Sequence, residues 1–194
     1  MRAVYVVPGL AGVCLLLGLA SSMNAAGTKA GTSPAERIAH GKYLVQLGGC
    51  TDCHSPKVMS PNGPVPDPTK AFSGHQESTK IPEVPKGVLG PGKWMAMTNS
   101  DMTAWVGPWG TSFTANLTPD PSTGIGGWSE EMWIKTLRTG KHLGTGRQIL
   151  PPMPWQAIGA LKDEDLKDIF AYFKSLKPIH NAVPQPIPPP KAAH

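Results

Sequence analysis

Two cysteines and a histidine form the pattern with the clearest chemistry in this chain, Cys50-Thr51-Asp52-Cys53-His54. Two thiols separated by two residues share one helical turn, where each can form a thioether with a vinyl group of the same porphyrin. The histidine that follows can bind the porphyrin iron from one side. The pattern therefore predicts one covalent haem c, attached through Cys50 and Cys53, with His54 as an iron ligand.

Other uses of paired cysteines fit the sequence less well. A redox-active Cys-x-x-Cys pair is typical of a thioredoxin-like β–α–β unit, and the residues around Cys50 show no such pattern. A zinc site needs further Cys or His ligands, usually a second close pair. A disulfide between Cys50 and Cys53 would close a very short loop and leave His54 unexplained. The third cysteine, Cys14, lies in an apolar run and is interpreted as a small buried side chain.

A haem iron with one histidine ligand takes a second axial ligand, and Met153 is the strongest candidate. It lies in the run Leu150-Pro-Pro-Met-Pro-Trp155, where three prolines fix the backbone and Trp155 can cover a haem face. His/Met ligation raises the reduction potential and fills both axial positions, so it predicts electron transfer rather than catalysis. The alternatives are Met59, Met95, Met97 and Met102 in loops, Met132 on a predicted helix, and His40, His75, His142 or His180 for bis-histidine ligation.

Three helices are predicted from capping residues and apolar periodicity. They run from Ser33 to Gly48, from Ser129 to Gly140, and from Asp163 to Pro178. Apolar residues make up 40% of the chain, charged residues only 16%, and Gly and Pro number 22 each, which excludes a coiled coil, a long helical bundle and a regular α/β protein. The fold class predicted is all-α, with three main helices around one covalent haem and long Pro/Gly-rich loops.

Two segments rich in proline, residues 55–127 and 178–194, lie outside the predicted helices. Residues 55–127 hold 11 Pro and 10 Gly and show no sustained period, so they form either a haem-wrapping insert or a partner-binding loop, with room for short strands. Residues 178–194 contain six prolines, which is typical of an extended segment. We expect a cytochrome-type domain over 33–180 and a Pro-rich tail over 181–194.

The N-terminal 26 residues have the composition of a targeting segment. Arg2 precedes an uncharged, mostly apolar run, and small residues follow at positions 21–26. We interpret residues 1–26 as a signal peptide or a retained membrane anchor, which places the rest of the chain in the periplasm. The net charge of +5 suits an acidic protein partner or an anionic membrane surface and is too small to indicate nucleic acid.

Several further segments resemble class I cytochrome c domains, above all the haem domains in cytochrome subunits of bacterial membrane-bound alcohol and sugar dehydrogenases. The resemblance covers roughly residues 35–180. It implies that His54 is the proximal ligand and Met153 the distal one, that the first helix packs across the last, and that Trp128 and Arg138 lie near the haem propionates. The segments that carry it, besides Cys50–His54, are Gly41–Val45, Asn116–Asp120, Thr123–Trp128, Leu137–Gly140, Pro151–Trp155 and Asp165–Phe173.

The chain departs from that family in three respects. It has one haem motif where those subunits have several, it carries an insertion over about 75–112, and Lys162 stands where a Ser or Thr cap is expected. We therefore expect a periplasmic one-electron carrier, not itself an enzyme, whose partners are a dehydrogenase, an oxidase or another cytochrome. The alternative is a haem peroxidase or a gas-binding haem protein with an open distal site.

Overall fold

A computed structural model describes residues 33–190 of the chain. The predicted signal or anchor segment, Cys14 and the last four residues lie outside the described residues. Within residues 33–190, no helix has the length and apolar character needed to cross a membrane.

Five α-helices are present in the described part, and the three predicted helices are among them. Ser33 caps the first helix through a capping box with Glu36, and the Ser129 side chain caps the third. The last helix begins after Lys162, whose side chain makes no capping hydrogen bond. The helices are α1 (Pro34–Leu47), α2 (Cys50–His54), α3 (Glu130–Thr139), α4 (Trp155–Gly159) and α5 (Asp163–Lys174).

The core forms where α1 packs across α5, as the family resemblance implies. Gly41 permits the close approach, because a Cβ atom there would overlap the Asp168 carbonyl. Beside this crossing, the Arg37 Nε donates to the Asp168 carboxylate at 2.8 Å. Aromatic rings fill the space between α3 and α5, with the Trp133 and Phe170 rings stacked at 5.7 Å. The buried cluster consists of Val45, Phe72, Ile125, Trp133, Leu137, Leu166, Ile169, Phe170 and Phe173.

The prediction of an all-α fold is wrong, because the loop region contains two antiparallel sheets. One is a two-stranded hairpin and the other has three strands in the order β3-β4-β5. The strands are β1 (Lys57–Ser60), β2 (Gly63–Pro66), β3 (Met97–Thr98), β4 (Ala104–Gly107) and β5 (Gly110–Phe113).

These strands are hard to detect because they are short and interrupted by residues that usually break strands. Pro64 and Pro66 both lie within β2. The amide of Asp67 points toward the neighbouring chain and donates to the Pro56 carbonyl at 2.8 Å. Because successive backbone nitrogens in a strand point to opposite sides, the nitrogens of Pro64 and Pro66 point away from β1. A proline is tolerated at such an edge position because no ladder hydrogen bond is lost.

The C-terminal segment packs back onto the loop region. Ile187 exchanges two backbone hydrogen bonds with Thr111 of β5, at 2.7 and 2.9 Å. Nearer the N-terminal end of this segment, the buried side-chain amide of Asn181 donates to the carbonyls of Ser73 and His75, both at 2.8 Å. The segment thereby links β5 to the loop that follows α2.

Candidate functional site

The helix α2 presents the two thiols and the imidazole together. Gly48 ends α1, and Gly49 has a φ of +61°, a conformation that glycine adopts readily and that lets the chain turn directly into α2. Positions three and four apart share a helix face, so Cys50, Cys53 and His54 point to the same side. Cys50 also packs against the buried cluster.

Both thiols are partly buried and free. Burial is the main reason that the pKa of Cys50 and the pKa of Cys53 are raised, with a smaller contribution from nearby Asp52. A redox-active Cys-x-x-Cys pair requires the opposite shift, toward the thiolate. Between residues 33 and 190, no three His, Cys, Asp or Glu side chains lie close enough together to hold a metal ion, so the additional ligands of a zinc site are not found in that part.

The His54 imidazole is buried and fixed by one hydrogen bond. The side chain is buried, with only 8% of the residue exposed. Its Nδ1–H donates to the Ala115 carbonyl at 2.8 Å, and since a carbonyl can only accept, the proton must lie on Nδ1. The Nε2 lone pair is then available for a metal, as in ligating histidines whose other nitrogen donates to a backbone carbonyl. Burial lowers the pKa of His54, which favours this neutral form.

The Ala115 carbonyl is fixed by a set of backbone hydrogen bonds around it. The amide of Gly74 donates to the His54 carbonyl at 2.8 Å, and the amide of His75 donates to the Thr114 carbonyl at 3.0 Å. Residue 74 has a φ of +76°, and a Cβ there would overlap the Thr114 carbonyl. Glycine at position 74 therefore allows the loop after α2 to lie directly against residues 114–115.

Met153 lies in a short loop that packs against the same buried cluster as Cys50. The loop is anchored at its start, where the Ile149 amide donates to the Gly140 carbonyl at 2.7 Å. It is anchored at its end by Trp155, whose indole lies directly against Gly140. The structure thus brings the cysteine motif and Met153 to one hydrophobic cluster.

The competing ligand candidates are placed elsewhere. Met59 is 79% exposed and Met95 is 73% exposed. Met102 and Met132 are also exposed, and Met97 lies on β3 beside an apolar groove. The other histidines make separate contacts: His40 with Asp168, His75 through Nδ1 with Thr103, His142 against the Trp128 ring, and His180 near Asp120. The Nε2 of His75 is buried without a hydrogen-bond partner.

The two side chains that the resemblance places near the propionates differ in their surroundings. Trp128 packs against the buried cluster and meets the His142 ring edge-on at 5.2 Å. Arg138 instead joins three helices, because its guanidinium donates to the Gly159 carbonyl and, at 2.6 Å, to Asp163.

Ala115 and Gly74, which orient His54, were not found from the sequence. A backbone carbonyl leaves no signal in the residue type, and Gly74 is one of many loop glycines.

Comparison with known proteins finds relatives among the cytochrome subunits of bacterial dehydrogenases. No family model matches the chain. The chain is 30% identical over 136 residues to the gluconate 2-dehydrogenase cytochrome c subunit of Pantoea cypripedii, covering 70% of this chain and 22% of that protein. It is 37% identical over 79 residues to the fructose dehydrogenase cytochrome subunit of Gluconobacter japonicus, covering 40% and 16%.

A third relative is the cytochrome c subunit of the quinone-type alcohol dehydrogenase of Gluconobacter oxydans, 37% identical over 73 residues, which are 37% of this chain and 15% of that one. The chain thus spans less than a quarter of the length of these curated relatives. It is a homologue of the cytochrome c subunits of dehydrogenases, as the sequence resemblance predicts.

Replacing Gly74 with alanine tests the contact that holds Ala115 against His54. We expect G74A to lower the free energy of unfolding by about 3 kcal/mol, because the added methyl group meets the Thr114 carbonyl. The measurement is chemical denaturation followed by circular dichroism.

The matched control is G63A, because Gly63 also has a positive φ, +101°, but a Cβ there meets nothing within 4 Å. This variant should lose only about 1 kcal/mol, the cost of the left-handed backbone conformation. Equal losses for the two variants would contradict the proposed role of the contact.

Proposed function

We propose that this chain holds one haem c covalently through Cys50 and Cys53 and transfers single electrons, with His54 and Met153 as the two iron ligands. The observation that carries this proposal is the buried imidazole of His54. Its Nδ1–H is committed to Ala115 at 2.8 Å, which leaves Nε2 free one residue after the second thiol. The homology to cytochrome c subunits of dehydrogenases supports the same function.

Each residue has a defined role toward the cofactor. The haem, when bound, supplies one-electron chemistry at its iron. The thioethers of Cys50 and Cys53 would prevent its loss, which matters for an exported protein. The Ala115 carbonyl orients His54, and the proline-rich loop holds the Met153 thioether in place. With both axial positions filled, substrate, peroxide and dioxygen have no open site, so the chain is an electron carrier and not an enzyme.

We place the described domain in the periplasm. The support is the sequence of residues 1–26, with Arg2 followed by an uncharged apolar run and small residues. If that segment is retained, it would also attach the domain to the membrane.

Carbon monoxide binding tests the distal ligand. The reduced wild-type protein should not bind carbon monoxide at neutral pH, because Met153 occupies the second axial position. The variant M153A should bind it readily and show a lower reduction potential, since His/Met ligation raises the potential. The measurements are absorption spectra under carbon monoxide and a redox titration.

M59A is the control, because Met59 is an exposed methionine in the β1–β2 hairpin. It should behave as wild type. Rapid carbon monoxide binding by the wild-type protein would instead favour a haem peroxidase or a gas-binding protein, and an M153A variant identical to wild type would refute the assignment of Met153.

We further propose that the redox partner is a dehydrogenase that docks on the insert. The cytochrome subunits of gluconate, fructose and alcohol dehydrogenases are the homologues that support this class of partner. Trp94 and Met95, 71% and 73% exposed, form an apolar surface of the insert, and Lys86 and Lys93 lie in the same loop. Aromatic anchors with basic neighbours suit an acidic partner surface.

Purification of the complex from the native host tests this docking. A dehydrogenase polypeptide, identified by mass spectrometry, should co-elute with the tagged wild-type chain. The double variant W94A/M95A should reduce its yield about tenfold, as expected for loss of an interface anchor, whereas M59A should not change it. Recovery of only an oxidase or another cytochrome, or equal yields for all variants, would contradict the proposal.

A further inference from the structure

The loop that carries Met153 has few backbone donors with which to hold itself in place. Pro151, Pro152 and Pro154 have no N–H group, so most of the hydrogen bonds that usually fix a loop cannot form here. At the end of the loop, the Trp155 amide donates a hydrogen bond to the Met153 carbonyl at 2.9 Å. Any further tether must come from another part of the chain.

That tether comes from Ser112 on β5. The Ser112 hydroxyl donates to the Pro151 carbonyl at 2.6 Å, across 39 residues of sequence, and Ser112 is only 7% exposed. The Trp109 indole N–H donates to the same hydroxyl at 3.3 Å. Because the hydroxyl accepts from Trp109, its single proton is available for Pro151, which is much closer than the alternative Trp105 carbonyl at 3.5 Å.

The residues that follow Ser112 reach the other side of the site. Thr114 accepts from the His75 amide, and Ala115 accepts from the His54 imidazole. Four consecutive residues, 112–115, therefore contact both the loop of the proposed distal ligand and the proposed proximal ligand. The last strand of the three-stranded sheet ends in this segment, so the backbone runs directly from the contact with the Met153 loop to the contact with His54.

We propose that Ser112 is a positioning residue for Met153: its hydrogen bond to Pro151 keeps the thioether at bonding distance from the haem iron. This inference rests on the proposed His/Met function. Without the hydroxyl, the proline-rich loop keeps its stiffness but loses its attachment to β5, so the thioether should dissociate from the iron more often. The side chain of Ser112 itself does not touch the iron in this proposal.

The variant S112A removes the tether. We expect the far-red absorption band of the methionine-bound ferric haem to weaken, the reduction potential to fall toward that of M153A, and carbon monoxide affinity of the reduced protein to rise about tenfold. That factor corresponds to the loss of one hydrogen bond. The control is S60A, because the Ser60 hydroxyl also accepts from a neighbour and donates to a carbonyl, that of Gly63 at 2.7 Å, in a separate hairpin.

A second pair of variants distinguishes loss of the hydrogen bond from a general defect in packing at position 112. S112T and S112V have side chains of the same shape and differ in the hydroxyl group. S112T should retain the absorption band and resist carbon monoxide, whereas S112V should behave as S112A. Equal behaviour of S112T and S112V, or an S112A protein identical to wild type, would overturn the inference. Absence of the methionine band from wild-type protein with covalent haem would instead refute Met153 ligation itself.

Discussion

The hydrogen bond from His54 Nδ1 to the Ala115 carbonyl is the interaction on which the rest of the site depends. It joins residues 61 positions apart at 2.8 Å in a buried environment. Loss of the acceptor would leave a buried N–H unpaired, which costs about 1–3 kcal/mol, and would free the ring to rotate. Residues 72–75 and 114–117 run side by side and hold this carbonyl in place, with Phe72 accepting from the Leu117 amide at 2.8 Å.

The helices contribute the apolar cluster beside the site, and the insert contributes a polar contact. The crossing of α1 and α5 and the aromatic rings of α3 and α5 form the buried cluster against which Cys50 and Met153 pack. Ser112 of β5 donates to the Met153 loop, and Ala115, two residues after the end of β5, accepts from His54. The segment between 75 and 112 thus contacts the Met153 loop through Ser112 and also carries the exposed side chains of Trp94 and Met95.

The three longer helices, α1, α3 and α5, were predictable from the sequence because their signals are local. Ser33 with Glu36, and Ser129, mark helix starts that the structure confirms, and Gly140 ends α3 with a φ of +66°. Short strands were allowed for in the loop region but not located, because each has at most four residues. In β2, Pro64 and Pro66 also occupy edge positions, where their lack of an N–H has no consequence. The contacts that hold the two proposed ligands were not predictable, because nothing in the sequence indicates which distant residues the Ala115 carbonyl and the Ser112 hydroxyl contact.

Mass spectrometry of the intact, denatured protein shows whether a haem is covalently attached to the chain. The full chain should be produced in its own host, where the machinery for covalent haem attachment acts, and compared with a variant in which both Cys50 and Cys53 are alanine. We expect a wild-type mass that exceeds the polypeptide mass by one haem and a variant without this increment. A wild-type protein that carries no added porphyrin would contradict the proposed covalent haem attachment.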